Sequence, residues 1–208
     1  MIQNQMLSPH FSLKEMTDSQ TAVKYGIANV PSPEAVENLR ALCVHTLEPL
    51  REALGLPIII TSGFRTKALN DKLAHSSERS QHMQGQAADF YVSSAGSIVQ
   101  GSSQSSGAGG TSQGSGAGGT STSEATKSSA KFKVQGGEEL SQRELLIKAF
   151  REILTNPKID YDQLILYPNF IHVSYVSSKA NRRGILKAQG NGKLGYGRLN
   201  RADALKIE

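Results

Sequence analysis

The chain has 208 residues and a mass of 22.3 kDa, enough for one compact domain with its own core and hardly enough for two. Charged residues make up 20% and the hydrophobic set 38%, ordinary for a soluble globular protein, and no window approaches the roughly 20 apolar residues of a membrane-spanning helix. A net charge of +5 and a pI near 9.3 favour a polyanionic partner, which could be nucleic acid, an anionic membrane surface or the acidic polymers of a bacterial wall. The single cysteine excludes a disulfide framework.

Met1 to Ser12 carries neither a basic flank nor an apolar stretch of signal-peptide length, so synthesis in the cytoplasm is the expectation. SLKEM, Ser12 to Met16, reads as a helix start with Ser12 at the N-cap and Glu15 at the capping-box position. A longer helix is expected over Ser32 to Leu54, with Pro33 at its first position. Within it Val36, Leu39, Leu42, Cys43, Leu47, Leu50 and Leu54 recur at three- and four-residue steps, an apolar stripe that faces a core and buries the Cys43 thiol.

LPIIITS, Leu56 to Ser62, is a β-branched run ended by Gly63 and reads as a strand. Thr66 to Ala74 follows as a helix, and Gln86 to Val92 as the next strand. From Ser94 to Ala130 the chain is almost entirely Ser, Gly, Ala, Thr and Gln, and SGAGGTS occurs at Ser106 to Ser112 and again at Ser115 to Ser121. Such a composition has no apolar surface to offset the entropy of ordering it, so 94–130 is expected to be a flexible, disordered insert within a single domain spanning 1–208. A long surface loop adds little closure cost and need not divide the fold.

Beyond the insert, Ser141 to Leu154 carries a second capping signal in Ser141 and Glu144 and a stripe of Leu145, Ile147, Ala149, Phe150 and Ile153. A hairpin is expected next, with Tyr161 to Tyr167 and Phe170 to Val176 joined at Pro168 and Asn169. Basic residues outnumber acids in the last third, among them Arg182, Arg183, Lys193 and Arg198, and read as a solvated basic face. They show no aromatic interleaving, which argues against a nucleic-acid partner. Helices before, between and after antiparallel strands indicate an α+β fold.

The informative stretch is SQHMQGQAADF, Ser80 to Phe90, after SGFRT at Ser62 to Thr66. His82 and Asp89 stand seven residues apart, an odd separation that would put them on opposite faces of a straight strand. Both can face one ion if the chain turns between them, and Gly85 is where it can turn. A third ligand is offered by His172, mid-strand in the otherwise apolar FIHVSY. Two imidazoles and a carboxylate suit zinc and leave a coordination position open for water, the catalytic arrangement. The bland alternative for a single strand histidine is a hydrogen-bonded core residue.

The pattern of Ser80, His82, Gly85, Ala87 and Asp89, S-x-H-x-x-G-x-A-x-D, resembles that of the M15 peptidases, zinc D-alanyl-D-alanine carboxypeptidases and phage endolysins among them. SGFRT resembles the family's S-G-x-R segment, and DQLI with IHVSY resembles the block that supplies the last ligand. The resemblance implies a hedgehog/DD-peptidase-like fold, a small antiparallel sheet with flanking helices. It further implies Zn2+ on His82, Asp89 and His172, with Arg65 taking the substrate's carboxylate and Ser80 adding a hydroxyl hydrogen bond. The implied activity is hydrolysis of peptide bonds in peptidoglycan stem peptides by metal-activated water, with no membrane insertion and a monomeric protein. A phage-type release would bring a cytoplasmic protein to the wall.

The chain departs from the family at one place. Many members carry Glu or Asp about three residues before the last histidine, where this chain has Asn169, which cannot usefully accept a proton. Asp162 is the substitute base if the hairpin turn has three residues; with two, Ile165 lies across from His172 and Asp162 points to the far face. Tyr167 then shares the face of His172 and is the candidate hydrogen-bond donor. The missing acid also favours a rival, a non-catalytic zinc-bearing module that binds wall peptides. A third class is a phage structural component using the Ser/Gly tract as a spacer.

Overall fold

The computed structural model describes residues 5–73, 76–93, 131–133, 139–188 and 196–207. The Ser/Gly insert expected at 94–130 lies outside them, as does Lys193 of the basic set.

Local signals in the sequence account for most helix starts. Ser12 caps α1 (Leu13–Thr17), its Oγ accepting from the Glu15 N–H at 3.2 Å. Ser19 caps α2 (Gln20–Tyr25), which ends at Gly26 in the left-handed region. Ser32 and Pro33 open α3 (Pro33–Leu42). The expected helix over 32–54 does run on, but not as a uniform α-helix: Cys43–Leu47 widens into π geometry before α4 (Glu48–Leu54).

Pro49 supplies the reason. It has no N–H to give to the carbonyl of His45. That carbonyl accepts from the Asp160 N–H instead, at 3.0 Å, while Thr46 Oγ1 donates to the Asp160 carbonyl at 2.5 Å. The bulge docks the loop before the last large hairpin. The apolar stripe survives it: Leu39, Leu42, Cys43, Leu47 and Leu50 are fully buried, and burial pushes the Cys43 thiol far above its ordinary value.

β1 (Ile58–Ser62) leads through α5 (Lys67–Asn70) and a 3-10 turn (Gln81–Gln84) to β2 (Ala87–Val92). The helix expected over Thr66 to Ala74 is thus shorter, with Thr66 as its N-cap. β3 (Lys131–Lys133) and β4 (Glu139–Ser141) form a separate two-stranded ribbon. Then α6 (Gln142–Thr155), with the full capping box of Ser141 and Glu144, precedes β5 (Gln163–Leu166) and β6 (Ile171–Ser174). β7 (Gly184–Ala188), β8 (Tyr196–Arg198) and α7 (Arg201–Ala204) complete the described chain.

The main sheet runs β1-β2-β6-β5-β7-β8. The sheet is mostly antiparallel, as expected, with one parallel pair, β5 with β7. β6 runs back along β5, so 175–183 need only pass the start of β5 for β7 to lie on its other side and run the same way. The fold class is α+β. One sheet face presents Ala88, Phe90, Val92, Ile171, Val173, Leu164 and Leu166 to the core shared with α3, α4 and α6. Each fully buried Leu, Ile or Phe contributes about 1.5–3 kcal/mol. Strand alternation then sends Asp89, His172 and Ile165 to the other face.

Candidate metal centre

Register brings the candidate ligands together. Asp89 on β2 pairs directly with His172 on β6, so their side chains leave the sheet side by side. A bulge between Ile60 and Ser62 sets Ser62 opposite Asp89. His82 reaches the same point from the 3-10 turn, because Gly85 closes that turn at φ 72°. A Cβ on Gly85 would lie 2.3 Å from the carbonyl oxygen of Ala35, so this turn needs glycine for space as well as for conformation.

Gly63 is equally constrained. A Cβ there would stand 2.3 Å from the Met16 carbonyl oxygen, and its own carbonyl accepts from His82 Nδ1 at 2.7 Å. An acceptor at Nδ1 fixes the tautomer and leaves the Nε2 lone pair directed at the site. His82 Nε2, His172 Nδ1 and Asp89 Oδ1 lie within 4.8 Å of one another. The separations are 3.2 Å between the nitrogens, 3.3 Å from His82 Nε2 to Asp89 Oδ1 and 2.8 Å from His172 Nδ1 to the same oxygen. Donors about 2.0–2.2 Å from a tetrahedral zinc stand about 3.3–3.5 Å apart, so the three need shift by no more than a few tenths of an ångström to hold that ion.

The electrostatics run the same way. Burial alone would raise the Asp89 carboxyl, but the charges and hydrogen bonds of the two imidazoles outweigh it and hold the group well below the carboxylate range. Burial pushes the His82 imidazole down, against the pull of Asp89. A carboxylate and a neutral imidazole are the forms that bind a cation.

Arg65, expected to receive a substrate carboxylate, is committed elsewhere. Its Nη2 donates to Asp89 Oδ2 at 2.9 Å and its Nε to Ser62 Oγ at 2.9 Å. The guanidinium therefore holds the outer oxygen of the candidate ligand and leaves the inner one toward the imidazoles. Ser80 stands at the N-cap of the 3-10 turn without a side-chain cap bond and lines the cleft onto which the site opens, roughly 1050 Å³ in volume.

The hairpin settles the place of Asp162. Ile165 pairs with His172 and the Tyr167 N–H donates to the Phe170 carbonyl at 3.0 Å, which is the two-residue turn. Alternation then puts Tyr167 with Ile165 and His172, whereas Asp162, one residue before β5, falls out of line with them and reaches the cleft beside Gln81 and Arg182. The Asp162 side chain is fully buried. It accepts from the backbone N–H of Arg182 at 2.7 Å, from Arg182 Nε at 3.0 Å and from Gln81 Nε2 at 3.0 Å. Burial would raise this carboxyl, but the Arg182 bonds outweigh it and lower it. A base needs a free lone pair and a pKa near the working pH. The assignment of Asp162 as base is therefore corrected: it is an anchor for Arg182 and for the turn that carries His82.

Tyr167 lines the cleft and stacks on Phe170 with ring centroids 4.1 Å apart. Three members of the basic set among the described residues are ion-paired rather than merely solvated: Arg182 with Asp162, Arg183 with Asp160 at 2.8 Å, and Lys206 with Asp203 at 3.4 Å. Arg183 holds a left-handed φ of 52°, a conformation that such a side chain adopts only when its surroundings fix it. Nothing in the local sequence around residue 182 marks it as a partner for Asp162. Gly63 had a signal, as the glycine of SGFRT.

A family model for peptidase M15 matches residues 9–117. That span takes in Arg65, Ser80, His82 and Asp89 and ends within the Ser/Gly tract, short of Asp162, Tyr167 and His172. No curated protein and no solved structure matches the chain.

Proposed function

The chain belongs to the peptidase M15 family, and from that premise we propose that it is a zinc-dependent metallopeptidase. Its proposed substrates are the stem peptides of bacterial peptidoglycan, cut either as a D,D-carboxypeptidase or as an endolysin-type endopeptidase. We further take it to act as a monomeric domain of hedgehog/DD-peptidase type that spans residues 1–208, with 94–130 as an insert. Synthesis in the cytoplasm and phage-type release to the wall complete the reading. The observation that carries it is the convergence of His82 Nε2, Asp89 Oδ1 and His172 Nδ1 at one point of an open cleft.

A zinc ion bound there would supply Lewis acidity, activating a water and polarising the scissile carbonyl. The chain's own residues do the rest. Gly63 fixes the His82 tautomer, and Arg65 fixes the Asp89 carboxylate, so each presents a lone pair inward. Tyr167, on the face of His172, is assigned to donate a hydrogen bond to the carbonyl oxygen as charge develops on it.

One observation favours a second reading, a zinc-bearing module that binds wall peptides without cutting them. The carboxylates lining the cleft among the described residues are Asp89 and Asp162, and each is held by an arginine. Neither is placed to take a proton from water, and Asn169 does not replace them.

Digestion of purified peptidoglycan by the zinc-loaded protein, beside an EDTA-treated control, tests the proposal. Zinc-dependent release of single D-alanine residues, seen by mass spectrometry, identifies the carboxypeptidase; release of whole stem peptides identifies the endopeptidase. Zinc-dependent binding with no new fragments across several wall chemotypes would replace the peptidase by the binding module.

A further inference from the structure

Among the described residues the cleft carries three guanidiniums, from Arg65, Arg79 and Arg182, and two carboxylates, from Asp89 and Asp162. Two of the cations are already matched. Arg65 holds Asp89, and Arg182 holds Asp162 through both Nε and Nη2. Three positive charges against two negative leave one, and it is Arg79. Its side chain is exposed, and among the described residues it forms no ion pair. Its backbone is nevertheless fixed, because the Arg79 N–H donates to Ser77 Oγ at 3.1 Å and the next residue, Ser80, begins the turn that delivers His82.

We propose that Arg79, not Arg65, is the residue that selects a carboxylate on the substrate, with the Ser80 hydroxyl beside it as a second donor. The inference rests on the peptidase reading and deepens it. A guanidinium offers a planar two-pronged donor that matches a carboxylate, and one unpaired in the free protein gives up no existing ion pair when it binds. Arg65 would have to release the carboxylate of a candidate metal ligand to do the same. The carboxylate has two possible sources in a wall peptide, the free C-terminus or an internal acidic residue, and both present the same group to Arg79. An anchor three residues from His82 fixes how far that carboxylate lies from the scissile bond.

The test uses the zinc-loaded full chain and three synthetic stem peptides: one with a free C-terminus and its internal acid amidated, one with the reverse, and one amidated at both. The quantity read is the preference in kcat/KM for each acid peptide over the diamide, which cancels any general damage done by a substitution. The wild type is expected to prefer one acid peptide by about tenfold, equivalent to about 1.4 kcal/mol. Arg79→Gln should bring that preference close to one, chiefly through KM, and Arg79→Lys should fall between. The peptide that shows the preference identifies the source of the carboxylate. High salt should shrink the preference in the wild type, since the pair forms at an exposed side chain.

A preference that survives in Arg79→Gln, or one that the wild type never shows, overturns the proposal while leaving the peptidase intact. Should the wild type cleave none of the three, the peptidase reading fails on its own, and calorimetric binding of the same peptides decides Arg79 by the same ratio. Absence of both cleavage and binding overturns both.

Discussion

Asp89 and His172 are direct cross-strand partners on β2 and β6, and His172 Nδ1 lies 2.8 Å from Asp89 Oδ1. Sheet register alone therefore sets two of the three candidate ligands, and only His82 depends on a turn. A centre built this way should tolerate loss of a ligand without loss of the sheet. His172→Ala is expected to keep its far-ultraviolet circular dichroism while zinc content, measured by atomic emission after dialysis, falls from about one ion per chain to less than about a tenth. Full zinc retention in that variant would remove His172 from the ligand set.

Arg65 touches the outer oxygen of Asp89 and so would act on the metal through its ligand. Partners of this kind change metal affinity by about 10–100-fold when removed. Arg65→Gln should weaken zinc binding by that factor in competition with a chelating indicator, and should do so in the absence of any peptide. Unchanged zinc affinity together with a raised KM would instead return Arg65 to the role of carboxylate receptor.

Much of this centre could be read from the sequence, for reasons that are local. Ser12, Ser32, Ser141 and Pro33 announce helix starts because capping needs only neighbouring residues. Gly85 could be named as the turning point because an odd spacing between His82 and Asp89 demands one. The pairings that decide roles are not local. Whether Asp162 or Tyr167 faces His172 hinges on one residue in the turn length, and Pro168-Asn169 does not specify it. The attachment of Asp162 to Arg182 exists only because β7 returns parallel beside β5 and starts at Gly184. Arg65 meets Asp89 only because a bulge after Ile60 puts Ser62 across from it. The π-bulge required knowing that Asp160 would capture the carbonyl that Pro49 leaves unpaired.

Gly85 should be intolerant of a methyl group. Its φ of 72° disfavours any other residue, and a Cβ would meet backbone, the Ala35 carbonyl oxygen at 2.3 Å, which cannot swing aside as a side-chain tip could. Gly85→Ala is expected to cost at least about 2 kcal/mol, which lowers Tm by about 4–8 °C for a chain of this size. Gly26 makes the control: it has nearly the same φ, 62°, but nothing within 4 Å of a Cβ. Differential scanning calorimetry of the two alanine variants should rank Gly85→Ala well below Gly26→Ala, and equal losses would mean that the Ala35 contact yields.

The Asp162 anchor makes its prediction through pH. Burial would raise its carboxyl, but the hydrogen bonds from Arg182 and Gln81 outweigh burial and hold it below the ordinary value. A depressed folded-state pKa means that the ionised group stabilises the fold above the unfolded pKa of about 3.9, and that this contribution drains away as pH falls through that value toward the folded one. Asp162→Asn removes the charge at every pH. Since the Arg182 side chain is 63% exposed, losing its partner leaves no buried cation. The expected cost at pH 7 is therefore about 1–3 kcal/mol, the worth of charged hydrogen bonds, and not the larger penalty of a broken, wholly buried pair. Urea denaturation of wild type and Asp162→Asn, both metal-free so that zinc release does not enter, should show the full gap from pH 7 down to about pH 5 and a narrowing gap below about pH 4. A gap that stays constant to pH 3 would mean that the charge of Asp162 contributes nothing and that the amide fails for reasons of shape. A wild-type advantage in turnover that far exceeds the stability loss, with zinc content equal, would restore Asp162 as a proton acceptor whose pair with Arg182 opens during the reaction.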